Sequence, residues 1–228
     1  MRHPSSGYVQ GINDVVTPFI VVFLSDYVTI NIDNLKLPDS FEQVTEEQFN
    51  EVEADSYWCL CKILDRILDN YTSSWPGIQK SFQRMKEVIK RVDPELLEHF
   101  ESEGIDFYHM YFKWITCLLL RQFSVKIGLR LFDTYLADEN NYFGFSLYIL
   151  AAIILKFAKK FKKMNFEEMM LFQQNMPTKD WQEEDLSTII AEAYVYQNYF
   201  KKWSPRQFLY YLFLSTTYYL SVLIFFFL

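Results

Sequence analysis

Six glycines and seven prolines punctuate 228 residues, and this scarcity constrains the fold more than any other feature. An all-β sandwich or barrel reverses direction about every 8–12 residues and needs turn formers at each reversal. This chain does not supply them. Its longer stretches instead place apolar residues three and four apart, the period of a helix face. Asp55 to Tyr71 is the clearest case. Tyr57, Leu60, Cys61, Leu64, Leu68 and Tyr71 fall on one face, and Lys62, Asp65, Arg66 and Asp69 on the other. The expected fold class is all-α.

The few helix breakers then set boundaries. Tyr8 to Val28 reads as a helix kinked or interrupted near Thr17-Pro18. Its polar start, with Gln10, Asn13 and Asp14, argues against a membrane span. Thr29 to Glu53 is acidic and irregular, and reads as a surface loop with a short helix near Glu46. Trp75-Pro76-Gly77 closes a turn, after which a helix is expected from about Ile78 to Val92. Asp93-Pro94 pairs an N-cap with a proline at the first helical position, so a short helix should follow to about Glu103, stopped by Gly104.

Phe107 to Leu120 is apolar on nearly all sides, the mark of a fully buried helix. Ser124 can cap a helix from Val125 to Leu136. Within Asn141 to Lys162, Leu147 to Leu155 is a continuous apolar run. It is too short to cross a bilayer, and Lys156, Lys159 and Lys160 bound it closely, so it reads as a core helix. Helices over Phe166 to Asn175 and Asp185 to Phe200, separated by a loop at Met176-Pro177, complete the series. No internal repeat or low-complexity linker interrupts it, and residues 1–203 read as one domain.

A net charge of −7 makes a nucleic-acid partner unexpected, because an acidic chain gains nothing from counterion release at phosphates. Three cysteines, Cys59, Cys61 and Cys117, do not make a disulfide framework and read as reduced, buried thiols. His3, His99 and His109 lack metal-ligand spacing, no Gly-x-x-x-x-Gly-Lys string occurs, and no cofactor is expected. Met1-Arg2-His3-Pro4 has no apolar core, so no signal peptide is expected.

Residues 204–228 form a separate hydrophobic segment. Phe208 to Leu228 runs 21 residues without a charge, enough to cross a membrane, with Lys201, Lys202 and Arg206 on one side. One reading is a tail anchor that leaves the helical domain cytosolic. The other is non-coding sequence translated past an exon end. Tyr210, Tyr211, Tyr218 and Tyr219 inside the span are unusual for a membrane helix, where tyrosines gather at the interfaces.

The most specific string is Gly7-Tyr8-Val9-Gln10-Gly11-Ile12-Asn13. It resembles the glutamine-finger motif of the TBC domain, the helical domain that stimulates GTP hydrolysis by Rab-type small GTPases. Further segments follow in the family's order. Glu53-Ala54-Asp55-Ser56-Tyr57-Trp58 resembles its acidic-then-aromatic lead into a core helix. Trp114, Leu118 to Arg121, and Leu129-Arg130-Leu131-Phe132-Asp133-Thr134-Tyr135 resemble its third motif, with Phe132 where the family usually has Trp. Ala191-Glu192-Ala193-Tyr194 resembles the end of the domain. The likeness runs from about His3 to Tyr199 and is greatest to the member-twenty-two branch.

The resemblance implies a multi-helix Rab-GAP fold, a GTP-bound Rab partner, and residence on the cytosolic face of endomembranes, in vesicle trafficking. It gives Gln10 the catalytic role, orienting the attacking water. It places Tyr8, Gly11 and Asn13 in the GTPase-binding motif, and Trp58, Trp114, Arg130 and Asp133 among the structural residues. It also implies a catalytic arginine in an Ile-x-x-Asp-x-x-Arg motif upstream of the glutamine, and that motif does not occur in this sequence. An N-terminally truncated domain with little activity is therefore expected, a regulator acting in trans. The alternative is a non-catalytic helical binding module or a membrane-anchored adaptor. Arg2 is a poor substitute finger. Arg121 and Arg130 are expected to be structural, pairing with Asp133 or neighbouring carboxylates.

Overall fold

The computed structural model describes residues 9–33, 41–72, 74–137 and 144–201. Tyr8, Arg2 and the segment from Phe208 to Leu228 lie outside the described residues. Ten α-helices run through the described residues: α1 (Ile12–Leu24), α2 (Glu46–Ile67), α3 (Pro76–Val92), α4 (Pro94–Ser102), α5 (Phe107–Thr116), α6 (Val125–Ala137), α7 (Ser146–Lys156), α8 (Ala158–Phe161), α9 (Phe166–Gln174) and α10 (Glu183–Lys201). Regular structure among the described residues is helical, as the shortage of turn formers requires.

The core is built around α7. Ser146 to Ile154 are all buried, and the helix packs between α3 and α10. Each fully buried Leu or Ile side chain stabilises the fold by about 1.5–3 kcal/mol, so this eleven-residue helix is held by tertiary burial. Among the described residues, no helix is long and apolar enough to cross a membrane.

Helix starts follow the local chemistry. The Asp93 side chain accepts a hydrogen bond from the Leu96 amide at 3.1 Å, with Pro94 at the first helical position. Gly104 ends the next turn at φ 71°. α2 begins nine residues earlier than the amphipathic stripe predicts, at Glu46. Thr45 and Gln48 form a reciprocal capping box there, and the polar first turns of α2 lie on the surface. That box satisfies two amides which would otherwise lack partners. Pro18 lies inside α1, which continues through it rather than breaking.

α5 stops at Thr116, four residues short of the expected Leu120. Leu118 and Leu119 take left-handed backbone angles, φ 50° and 65°. The Leu119 amide donates to the Trp114 carbonyl at 2.7 Å and the Leu118 amide to the Ile115 carbonyl at 3.1 Å. This is a Schellman termination with leucine where glycine is usual. A left-handed residue with a side chain costs about 1–2 kcal/mol. Complete burial of both leucines in the core offsets that strain.

Tyr57, expected on the buried side of α2, is 49% exposed and meets Trp58, itself 57% exposed, edge to face. Val52, Ser56, Cys61, Ile63 and Ile67 are the buried residues of α2, and Leu60 and Leu64 of the expected face pack half-buried against the core. Of the three thiols, Cys61 and Cys117 are buried and Cys59 is only partly so.

Candidate functional site

Gln10 sits at a corner. The Ile12 amide donates to the Val9 carbonyl at 3.2 Å, closing a turn with Gln10 and Gly11 at its two central positions. Gly11 adopts φ 112°, ψ −20°, a conformation that favours glycine at the second centre of such a turn. Gln10 is exposed while Gly11 beside it is buried. The turn thus presents the amide side chain to solvent from a fixed backbone.

The surface behind that turn is the strained end of α5. A Cβ on Gly11 would meet Cys117 Sγ at 3.2 Å and the Thr116 carbonyl oxygen at 3.4 Å. The Thr116 carbonyl in turn accepts a hydrogen bond from the buried Tyr71 hydroxyl at 2.7 Å, and the Leu118 carbonyl accepts one from Tyr135 at 3.3 Å. Burial pushes both tyrosine hydroxyls well above their ordinary pKa, so they remain donors at neutral pH.

At the start of α1, Asp14 reaches the same platform. Its Oδ1 accepts from Arg121 Nε at 2.9 Å, and its Oδ2 accepts from the Cys117 thiol at 3.3 Å. The carboxylate also lies in the first turn of α1, where the helix dipole favours negative charge. Burial first, and then the hydrogen bond to Asp14, raise the Cys117 thiol to about 11, so it stays protonated and donating. A cleft of about 100 Å³ opens beside this pair, between α1 and the start of α6, with Thr17, Pro18, Leu120 and Gly128 among its walls.

The other sequence-predicted residues distribute differently. Asn13 is exposed on the first turn of α1, close to Gln10 in the chain. Trp114 is buried and meets Tyr111 edge to face at 5.5 Å, a core role. Phe132 is buried and packs edge to face on Phe19 of α1 at 5.4 Å, so it fixes α6 against the glutamine-bearing helix. Arg121 finds its carboxylate on α1 rather than at Asp133. Arg130 donates to Thr134 one turn further along α6, at 2.8 Å, and Asp133 is exposed. The expected carboxylate partner is thus met for Arg121 by Asp14, whereas Arg130 bonds the Thr134 hydroxyl four residues on, a neighbour on the same helix face.

Sequence reasoning missed Asp14, Tyr71, Thr116 and Cys117 as supports of the turn. Only Asp14 carried a signal, an acid in a helix's first turn. The contacts of the others span 45 to 103 residues of chain and depend on the tertiary fold.

The arrangement is a helical scaffold presenting one amide side chain from a turn backed by the end of α5. The Rab-GTPase-TBC domain family model matches residues 1–163, and the chain belongs to that family. It is 41% identical over 198 residues to the GTPase-activating protein gyp1 of Schizosaccharomyces pombe, covering 86% of this chain and 38% of that protein. It is 39% identical over 195 residues to human TBC1 domain family member 22B, covering 85% of this chain and 38% of that protein. The crystal structure of the Ypt/Rab-GAP domain of Gyp1p superposes with a TM-score of 0.82 at 40% identity, covering 87% of this chain and 62% of that one. The chain thus spans about two fifths of the length of these curated relatives.

Proposed function

We propose that this chain acts on a GTP-bound Rab-family GTPase and contributes a glutamine to GTP hydrolysis in trans. The observation that carries this reading is the exposed Gln10 held on a turn backed by the α5 terminus. A carboxamide both donates and accepts, so it can bond the phosphate region and the attacking water together. The printed names of the relatives, GTPase-activating proteins among them, support the same reading.

The arginine motif does not occur in the 228 residues. An arginine finger is worth roughly 10³–10⁵ in rate, or about 4–7 kcal/mol of barrier. The chain by itself is therefore expected to bind its GTPase yet stimulate hydrolysis weakly. Joined to a segment carrying Ile-x-x-Asp-x-x-Arg, it should stimulate strongly and depend on Gln10. Single-turnover GTP hydrolysis across a panel of Rab GTPases tests both statements. Strong stimulation by the 228-residue chain would overturn the first.

The second reading is a non-catalytic module that binds the GTPase without accelerating it. Binding that does not respond to Gln10→Ala, with no stimulated hydrolysis in the arginine-bearing chain, would select it. In either case the site of action is the cytosolic face of endomembranes. The apolar segment from Phe208 to Leu228 would hold the chain there, and release from carbonate-washed membranes would refute that anchor.

A further inference from the structure

We infer that Asp14 and Arg121 are positioning residues, a latch that fixes the Gln10 turn on the α5 terminus. The inference rests on the proposed role of Gln10, and three observations carry it. First, Asp14 uses both carboxylate oxygens on the same platform, one on Arg121 at 2.9 Å and one on the Cys117 thiol at 3.3 Å. Second, Gly11 sits against Cys117 and Thr116, the residues immediately beside that thiol contact. Third, the platform itself is strained at Leu118 and Leu119, and strain of this kind persists only where surrounding structure over-determines it.

The geometry explains why a latch is needed. The turn holds itself with few bonds of its own, Ile12 to Val9 and Asp14 to Gly11. Its glycine adds conformational freedom, which works against a side chain that must be held still. Asp14 is the first side chain along α1 that grips a separate element of the fold with an ion pair. Its side chain is only 18% exposed, so water competes weakly for it, while the Arg121 side chain remains 47% exposed. Catalytic orientation is sensitive to displacements of about 1 Å. A loosened latch should therefore degrade the transition state more than initial docking.

The test uses the 228-residue chain in two arms. The first is amide hydrogen exchange by mass spectrometry on wild type, Asp14→Asn, Arg121→Ala and Arg121→Lys. Exchange over residues 9–16 should accelerate about tenfold or more in Asp14→Asn and Arg121→Ala, and recover in Arg121→Lys, which keeps the charge. Exchange within α3 should stay as in wild type, showing that the fold is intact. Unchanged exchange over 9–16 in a folded Asp14→Asn chain would overturn the latch, whatever the chain does to a GTPase.

The second arm compares affinity for a Rab panel loaded with GDP plus aluminium fluoride, which mimics the transition state, against a non-hydrolysable GTP analogue. Asp14→Asn and Arg121→Ala should lose most of the fluoride-dependent gain while leaving analogue affinity within about twofold. Loss of that gain in Gln10→Ala but not in either latch variant would overturn the latch and keep the glutamine reading. Its retention in Gln10→Ala would count against the glutamine reading, and with or without a gain in wild type the exchange arm decides the latch.

Discussion

Gly11→Ala probes the turn and its backing together. At φ 112° and ψ −20°, an alanine occupies backbone space that side chains rarely adopt, at a cost of about 1–3 kcal/mol. Its methyl carbon would also meet Cys117 Sγ at 3.2 Å and two atoms of Thr116 at 3.4 Å. Cys117 cannot swing away freely, since its thiol is bonded to Asp14. Overpacking of this kind adds about 1 kcal/mol or more. The combined loss is about 2–5 kcal/mol, which lowers Tm by roughly 5–15 °C for a domain of this size.

Gly104→Ala is the natural control. Gly104 has φ 71° and nothing within 4 Å of the added carbon, so it incurs the backbone term alone. Thermal unfolding of both variants, followed by the double variant Gly11→Ala with Cys117→Ala, separates strain from contact. The double variant should recover about 1 kcal/mol relative to additivity. If Gly11→Ala costs no more than Gly104→Ala, or if removing the Cys117 sulfur recovers nothing, the turn does not rest on the α5 terminus.

Two further outcomes follow from the same platform. Tyr71→Phe deletes the hydroxyl that donates to the Thr116 carbonyl and leaves that buried acceptor short of a donor, so stability should fall by about 1–3 kcal/mol. A urea midpoint unchanged from wild type would refute it. Cys117 in the folded state holds its proton up to about 11, above its ordinary value of 9.0. Its contribution to stability is therefore complete below about pH 9 and is lost as pH rises through about 11, so the denaturation midpoint of wild type should drop across that window and that of Cys117→Ala should drop less. Equal slopes in the two chains would contradict this.

Much of the fold was legible because its punctuation is chemical and local. Asp93-Pro94, Gly104 and Ser124 mark helix ends by groups that bond or release nearby backbone amides. Thr45-x-x-Gln48 was equally local, and the acidic surroundings hid it. The end of α5 was not legible, since Leu118 and Leu119 carry no sign of left-handed angles. Only the surrounding core makes those angles tolerable. The exposure of Tyr57 was unreadable for a related reason, as periodicity defines a stripe on α2 to within about a residue but does not say which edge meets α1. At the site, the string around Gln10 pointed to the turn, and the sequence could not show what the turn rests on. The Asp14–Arg121 pair joins residues 107 apart and exists only in three dimensions.

The central claim is that Gln10 works on the γ-phosphate chemistry of a bound Rab. Single-turnover hydrolysis by a responsive Rab, stimulated by this chain joined to the family's arginine motif, measures it directly. Removing one oriented transition-state donor costs about 10²–10³ in rate. Gln10→Ala should therefore lower the stimulated rate by about that factor while the circular-dichroism spectrum and Tm stay those of the parent. A stimulated rate within about twofold of the parent, far inside that expected loss, would contradict the account.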